Sequence, residues 1–388
     1  MRTLTSVLRV LGPLKEFIHA ARVQCLARVV LAAFFSTSLR LTDLGRALPT
    51  SGKVKHAIKR VDELLRNTHL AHDIEFVQQY LAGVLVDERE PVLLVDWTDI
   101  GPLWTALVVS YVASGRGITL CWQVHSKQRQ NSATIETQLL RRIAKLLPGT
   151  KPTVVTDAGF RVPWMKKLSN RGWNFVGRVR GRVKARREGG NWMNVLDLGA
   201  KATRKPKDLG VFQLARSNPL SVRLIARSKK RSWRTDELPD IGRRKKRNIK
   251  SAREPLVIAT SLLAATANQI SFLYGLRWQI EMTFRDQKCI RFGLGLDAIR
   301  TKHLQRVRAY MLIAVLAHFV AYVLGQTAER AGLARDFQAN TERRCRVLSV
   351  VRLGCEVVRR AASEMLKVLE QAPLYLPQVL TLEKCGDP

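Results

Sequence analysis

Three acidic residues occupy positions where a carboxylate is costly unless it has a chemical role. Asp96 closes the apolar run VLLVD, Asp157 closes the run PTVVTD, and Glu281 lies within 274–288. A carboxylate at the end of a buried strand costs free energy unless it is paired or binds a metal. Two aspartates and a glutamate supply the oxygen ligands that suit Mg²⁺. Two such ions about 3.5–4 Å apart would hold the attacking and leaving oxygens of an in-line phosphoryl transfer.

Each of these acids also has an ordinary interpretation, as a strand-end turn residue or as a charge on a helix surface. Asp99 competes with Asp96 for the first position, because both follow the same apolar run. On a continuing strand the side chain of Asp99 would point to the opposite face from that of Asp96. We therefore assign Asp96.

A polar stripe surrounds the glutamate. Tyr274, Arg277, Glu281 and Lys288 stand at offsets 0, 3, 7 and 14, so on a helix they fall within roughly 60° of one another. The apolar residues of an adjoining face are Leu273, Leu276, Ile280 and Phe284. The pattern predicts one helix over about 268–290. Its stripe suits a metal-ligating carboxylate beside phosphate-binding groups, and a solvated helix face is the alternative.

The elements that must position these residues begin near residue 91. The pattern predicts buried strands at 92–96, 104–112, 118–124 and 152–157, with a helix over about 132–147 before the last strand. The glycine-containing segment 113–117 suits a tight turn, so the second and third strands read as a hairpin. The order of strand, strand, strand, helix and strand resembles an α/β ribonuclease-H-like fold, in which acidic residues gather at the ends of central strands.

The flanking regions differ in character. Residues 1–88 read as helical, and the segments 41–48 and 54–65 resemble two helices joined by a turn. They could form a helix-turn-helix contact with DNA, or belong to a plain helical bundle with a basic surface. Residues 297–388 read as a helical C-terminal region with a loose tail from 373. Its longest uncharged apolar run, 310–326, is short for a membrane span and predicts a buried helix.

The stretch 161–255 carries 28 Lys or Arg against 7 Asp or Glu. It contains short strand patterns such as 221–226 and the basic run 243–247, which on its own could be a solvated loop. The pattern predicts a basic, β-rich insertion with a surface for the phosphate backbone. The interrupted core would then consist of 89–160 and 256–296, with a strand pattern resuming at 254–260.

Composition favours a polyanionic partner. The net charge is +35 and the pI is about 10.9, which favours nucleic acid over an anionic membrane surface. The six cysteines are scattered without a CxxC pair, as in reduced proteins, and the N-terminus has no clean signal-peptide layout. We therefore expect a cytoplasmic protein.

The spacing Tyr274-x2-Arg277-x3-Glu281-x6-Lys288 resembles the Y-R-E-K signature of the insertion-sequence-four family of bacterial DDE transposases. The sequence 157-DAGF-160 is similar to that family's second-aspartate motif, and 95-VDWTD-99 occupies the region of the first aspartate. The resemblance covers about 91–290 in order and spacing. It implies a ribonuclease-H-like catalytic core interrupted by a β-rich insertion, between helical N- and C-terminal regions.

The same resemblance implies roles for the residues. Asp96, Asp157 and Glu281 would hold two Mg²⁺ ions, for which Mn²⁺ can substitute. Tyr274, Arg277 and Lys288 would contact phosphates near the cleaved end. Trp278 would stack on an unpaired base, or else pack in the core or at its rim. The family cuts at terminal inverted repeats and joins the ends to target DNA by cut and paste, as a homodimer on double-stranded DNA.

Two other functions remain open from the sequence. A related nuclease would cut DNA without joining strands, and a non-catalytic DNA-binding protein would keep the same fold. Loss of one acid would mark the second alternative, and all three acids are present. An RNA-binding protein is a weaker alternative, because the chain has no aromatic-rich motif of the RNA-recognition type.

Overall fold

The structure is a computed structural model of the 388-residue chain. It describes residues 2–181, 183–228, 254–339, 341–342, 346–360, 362, 365–367 and 371–374. The basic run 243–247 and nearly all of the predicted tail lie outside these described residues.

In the part of the chain that the structure describes, ten strands form one sheet in the order β3-β2-β1-β4-β5-β10-β9-β8-β6-β7. In chain order the strands are β1 (Val92–Ile100), β2 (Trp104–Val112), β3 (Gly117–Ser126), β4 (Thr153–Thr156), β5 (Asn174–Val179), β6 (Lys184–Arg186), β7 (Met193–Asn194), β8 (Lys207–Leu214), β9 (Leu220–Arg227) and β10 (Leu256–Thr260). β4 runs parallel to both β1 and β5, and every other neighbouring pair is antiparallel.

Twelve α-helices surround the sheet within the described residues. They are α1 (Arg2–Leu11), α2 (Ala20–Phe35), α3 (Leu41–Ala47), α4 (Val54–Arg66), α5 (Leu70–Leu85), α6 (Ala133–Leu146), α7 (Val162–Ser169), α8 (Val195–Leu198), α9 (Ala267–Leu276), α10 (Trp278–Lys288), α11 (Leu304–Arg330) and α12 (Val350–Arg360). The mixed α/β class expected from the sequence is confirmed. The predicted order of three strands, a helix and a strand corresponds to β1, β2, β3, α6 and β4.

The predicted hairpin is confirmed as β2 and β3. Its turn closes through a hydrogen bond from Ala113 N to Arg116 O of 2.9 Å, and Gly115 supplies the positive φ of 75° that the turn requires. β1 is longer than predicted, because it continues to Ile100. Asp96 therefore lies inside this strand and not at its end, which corrects the sequence-based placement.

The stretch 161–255 is less uniform than predicted. α7 and β5 follow β4 and extend the parallel part of the sheet, so residues 162–179 continue the central sheet. Strands β6 to β9 then join the same sheet through β10, which pairs with β5 on one side and β9 on the other. The strand predicted at 221–226 corresponds to β9. The described part of the strand-rich segment is therefore an extension of the central sheet.

The N-terminal helices and the central sheet share one hydrophobic core, which includes residues from α1 to α12. Helix α11 runs through this core, and its most apolar 18-residue window is 94% buried within the protein. It is long and apolar enough to cross a membrane by length and composition alone. The buried helix predicted at 310–326 is confirmed as part of α11.

The single helix predicted over 268–290 is wrong in one respect, because two helices meet at Arg277. Here Arg277 N donates to Tyr274 O and Ile280 N donates to Arg277 O, both at 3.2 Å. These i→i−3 bonds tighten one turn, while Arg277 keeps right-handed helical angles of φ −52° and ψ −30°. The side chains before and after Arg277 therefore keep nearly the same directions around the axis as in one continuous helix. The stripe residues stay on one side although the helix is interrupted.

Candidate active site

The parallel pairing of β1 with β4 brings the two aspartates together. Val95 pairs with Thr156, the last residue of β4. The next residues along the two chains are Asp96 and Asp157, at the point where β1 loses its neighbour on this side. Adjacent positions of parallel strands share a face of the sheet. This register was not available from the sequence, although the two apolar runs that create it were.

Asp96 is a largely buried carboxylate among other acids. Burial raises its pKa to about 7, and the nearby carboxylates of Asp157 and Glu281 act in the same direction. The charge of Arg277 and a 2.8 Å hydrogen bond from Trp97 N to Asp96 Oδ1 oppose this rise only in part. A cation bound beside Asp96 would oppose both the burial and the repulsion, because it would stabilise the charged carboxylate.

Arg277 lies between two of the three acids. Its Nη2 is 2.5 Å from Glu281 Oε1, and its Nη1 is 3.7 Å from Asp96 Oδ2. Its guanidinium also lies over the ring of Tyr274, 5.9 Å from the centroid. The tightened turn at Arg277 places this side chain over β1. The structure thus brings Asp96, Asp157, Glu281, Arg277 and Tyr274 into one site.

The loop after β4 holds Asp157 in a tight turn. Gly159 N donates to Asp157 Oδ1 at 2.6 Å. A Cβ on Gly159 would lie only 2.9 Å from the same oxygen, so a side chain there would press on the carboxylate. Phe160 is buried against Trp164, with ring centroids 5.0 Å apart. The sequence DAGF therefore supplies an acid, a residue without a side chain to crowd it, and an apolar anchor.

Lys288, the remaining stripe residue, and Trp278 beside the stripe lie at the rim of the site. Lys288 donates to Thr98 Oγ1 at 3.0 Å and to the carbonyl oxygen of Asp99 at 2.8 Å, so it is anchored on β1 and does not contact the acids. The side chain of Trp278 is 57% exposed, which excludes packing in the core. Asp99 is bonded to Lys127 Nζ at 2.9 Å. By strand alternation it lies on the face opposite Asp96, as expected.

Arg178 of β5 was not singled out from the sequence, where it is one of many cations in a basic stretch. Gly177 pairs with Thr156, so Arg178 takes the position beside Asp157. Its side chain is 10% exposed, and the closest acid is Glu254 at 3.9 Å. Within the described part of the chain, its Nε and Nη2 have no hydrogen-bond partner. Burial lowers its pKa, against the attraction of Tyr274 and Asp157.

The three acids of the site carry the kind of ligand atoms that a divalent cation prefers. Asp96, Asp157 and Glu281 offer only carboxylate oxygens, and Arg277 already places positive charge between two of them. In the part of the chain that the structure describes, no three His, Cys, Asp or Glu residues are gathered closely enough to hold a metal ion. Binding of one cation by all three acids therefore requires their carboxylates to come closer together, and Glu281 is engaged by Arg277 in this structure.

Comparison with solved structures finds similarity to a piggyBac transposase synaptic complex with hairpin DNA, determined by cryo-electron microscopy. The TM-score is 0.44 and the sequence identity 11%, over 96% of this chain and 80% of that chain. No curated protein matches the chain.

A family model gives a more specific match. The model described as "Transposase DDE domain" matches residues 87–320, which is more than half of the chain. The match begins before β1 and ends within α11, so it contains Asp96, Asp157 and Glu281. The chain therefore belongs to the transposase DDE-domain family.

Proposed function

We propose that this protein is a metal-dependent transposase of the insertion-sequence-four type, which cuts DNA at transposon ends and joins them to a target. The observation that carries the proposal is the placement of Asp96, Asp157 and Glu281 around the carboxyl end of the parallel β1–β4 pair, with Arg277 between two of them. Its core would be ribonuclease-H-like, which the strand order β3-β2-β1-β4-β5 supports.

The reaction we propose has two phosphoryl transfers. Water first attacks the phosphorus at the transposon end, and the 3′-oxygen leaves as a hydroxyl. That 3′-hydroxyl then attacks a phosphodiester of the target, whose own 3′-oxygen leaves. Mg²⁺, or Mn²⁺ in its place, would be held by Asp96, Asp157 and Glu281 and would supply charge stabilisation at the attacking and leaving oxygens.

The protein's own side chains would bind and orient the DNA. Arg277 can form a two-point contact with a phosphate once it leaves Glu281, and Arg178 can satisfy its unpaired donors on the same group. Tyr274 would add a neutral donor and Lys288 a point charge at the rim. The exposed Trp278 would stack on an unpaired base beside the cleaved end.

The wider DNA contacts follow from the same proposal. Helices α3 and α4 confirm the predicted helix pair, and Lys53, Lys55, Lys59 and Arg60 are exposed at the start of α4. We propose that residues 1–88 bind the terminal inverted repeats, that the 297–388 region helps to pair two copies on DNA, and that the protein acts in the bacterial cytoplasm.

A strand-transfer assay tests the function. The full-length protein is mixed with a duplex carrying the element's own ends and a supercoiled target plasmid, with Mg²⁺ or Mn²⁺. Wild type is compared with Glu281→Ala and with Arg285→Ala, an exposed change on the same helix. We expect joined products from wild type and Arg285→Ala, and none from Glu281→Ala.

The other outcomes separate the alternatives. Cleavage without joining would indicate a related nuclease. DNA binding without metal-dependent chemistry would indicate a binding protein on the same fold. Unchanged activity in Glu281→Ala would show that the catalytic glutamate lies elsewhere.

A further inference from the structure

A second basic surface lies beside the site, at the junction of the N-terminal helices with α11. It is an open groove of about 530 Å³, lined by residues 40–42 at the start of α3, the loop 299–303, and Arg306 and Tyr310 of α11. We call it the Arg300 groove. The first turn of the 27-residue α11 forms one wall, so the positive end of that helix adds to the charge of the side chains.

The groove holds more positive charge than its own contacts neutralise. Arg300 and Lys302 are exposed, and neither has a hydrogen bond or ion pair among the residues that the structure describes. Arg40 is also exposed and donates through Nε to the carbonyl of Ala298 at 3.1 Å. Within the described ranges, Arg306 is the one cation of the groove that forms an ion pair, with Asp62 of α4. Three cations therefore remain available to an anion.

The nearby acids do not cancel this charge. Asp62 is shared between Arg306 and Arg66. Asp43 accepts a 2.6 Å hydrogen bond from Ser38 Oγ and lies 3.8 Å from Arg46. Asp297 is 46% exposed and lies 4.0 Å from Lys288 Nζ. The first two acids are thus already engaged with Arg306, Arg66, Ser38 and Arg46.

The groove has a fixed position between the site and the helix pair. On one side, Trp104 Nε1 donates to Thr301 O at 3.0 Å, next to the turn that ends β1. Lys288 is near Asp297, which precedes Arg300 by three residues. On the other side, Gln305 Nε2 donates to the carbonyl of Asn67, just beyond α4, at 3.3 Å. The groove therefore lies on the protein surface between Lys288 on one side and helices α3 and α4 on the other.

We infer that the Arg300 groove binds the phosphate backbone of duplex DNA, between the segment at the catalytic site and the segment at α3 and α4. Exposed, unpaired cations along an open groove suit backbone phosphates, which carry no sequence information. The inference rests on the proposed function, because it assigns a further contact to the same DNA.

The test uses the double variant Arg300→Gln/Lys302→Gln in the full-length chain. The matched control is Lys145→Gln/Lys151→Gln, which removes the same charge from exposed positions. These lysines lie at the end of α6 and just before β4, at the opposite end of the sheet. Dissociation constants are measured by fluorescence anisotropy without divalent metal, over a series of salt concentrations. One duplex carries the transposon end and the other an unrelated sequence.

We expect the groove variant to bind both duplexes several-fold more weakly. Its slope of log affinity against log salt should fall by about 1–2, since each lost phosphate contact removes about 0.9. The control should keep the wild-type slope. Phosphate-ethylation interference on the duplex that carries the transposon end marks the phosphates needed for binding. The groove variant alone should lose the signals of a group of neighbouring phosphates on the transposon side of the cleaved end.

Three results would overturn the inference. An unchanged slope in the groove variant would show that the groove makes no phosphate contact. An equal fall of the slope in the control would show that any loss of positive charge weakens binding, whatever its position. A loss confined to the end-bearing duplex would indicate base reading. These results concern the groove alone. If the wild-type protein itself showed no salt-dependent DNA binding, the proposed function would be contradicted as well.

Discussion

Arg178 shows most directly how a single residue departs from what stability alone would select. It is a buried cation with unsatisfied donors beside Asp157, and such a group costs free energy in the folded protein. Replacement by Met keeps the length and apolar stem and removes the charge. We expect Arg178→Met to melt at or above the wild-type temperature while DNA cleavage slows by about 100-fold.

The comparison of melting temperature with activity separates a functional role from a structural one for Arg178. Arg171→Met, a change in the same basic stretch next to the turn before β5, is the control and should keep full activity. If Arg178→Met lowered the melting temperature in step with activity, the arginine would be part of the framework and not of the site.

Asp96 and Asp99 give a second test at this scale, because they differ by three positions on one strand and face opposite ways. Asp96 lies with Asp157 and Arg277, whereas Asp99 pairs with Lys127 at the surface. We expect Asp96→Asn to abolish cleavage and Asp99→Asn to retain most of it. Gel assays of end cleavage with Mg²⁺ measure both, and loss of activity in Asp99→Asn alone would reverse the assignment.

These residues also show what could be predicted from the sequence. Alternation along a strand separated Asp96 from Asp99 without a structure, because the side-chain period of a strand is fixed at two. Arg178 could not be found in this way. Its position beside Asp157 depends on the pairing of β4 with β5, and pairing partners are set by the packing of the whole sheet.

At the scale of elements, the helix around the stripe was predicted from its apolar period, and the break at Arg277 was not. The capping box at Thr266 and Gln269 gives a sequence signal for the start of α9. The tightened turn contains Gly275, but a single glycine within a helical pattern does not by itself specify a break. At this turn Arg277 contacts Glu281 four residues along the chain and Asp96 on β1, and the contact with Asp96 exists only once the site has assembled.

The contact of α11 with α12 gives an element-scale prediction. A Cβ on Gly354 would lie 1.8 Å from the carbonyl oxygen of Ala321, and one on Gly325 would lie 2.0 Å from that of Val350. The two helix backbones therefore touch, and Gly354→Ala must push them apart. We expect a loss of about 1–3 kcal/mol in the free energy of unfolding, measured by urea denaturation.

The control for this prediction is Gly83→Ala in α5, where an added Cβ meets no atom within 4 Å. Removing a glycine from a helix interior without a clash should stabilise the protein by about 0.5–1 kcal/mol. Opposite signs for the two substitutions are expected. A neutral Gly354→Ala would mean that α12 does not pack against α11 as described.

At the scale of the whole molecule, one ion-pair cluster ties the site helix to the core. Asp286 of α10 lies 2.6 Å from Arg116 Nε, in the β2–β3 turn, and 3.7 Å from Nε2 of the buried His318 on α11. Burial alone would raise the pKa of Asp286, but His318 and Arg116 together hold it below its usual value. The carboxylate of Asp286 thus links α10 to the β2–β3 turn and to α11.

The depressed pKa of Asp286 sets the direction of its effect on stability with pH. Stabilisation by an aspartate of this kind is complete above its unfolded pKa of about 4 and is lost as pH falls through the folded value. We expect Asp286→Asn to cost about 3 kcal/mol or more near neutral pH, and the difference from wild type to shrink below about pH 4. Thermal melts from pH 3 to 7 measure this difference.

Asp208→Asn is the control. Asp208 also pairs with an arginine, Arg223, at 2.6 Å, but it is 42% exposed and should contribute little to stability. A pH-independent gap between wild type and Asp286→Asn would show that the link between α10 and the core does not depend on this charge.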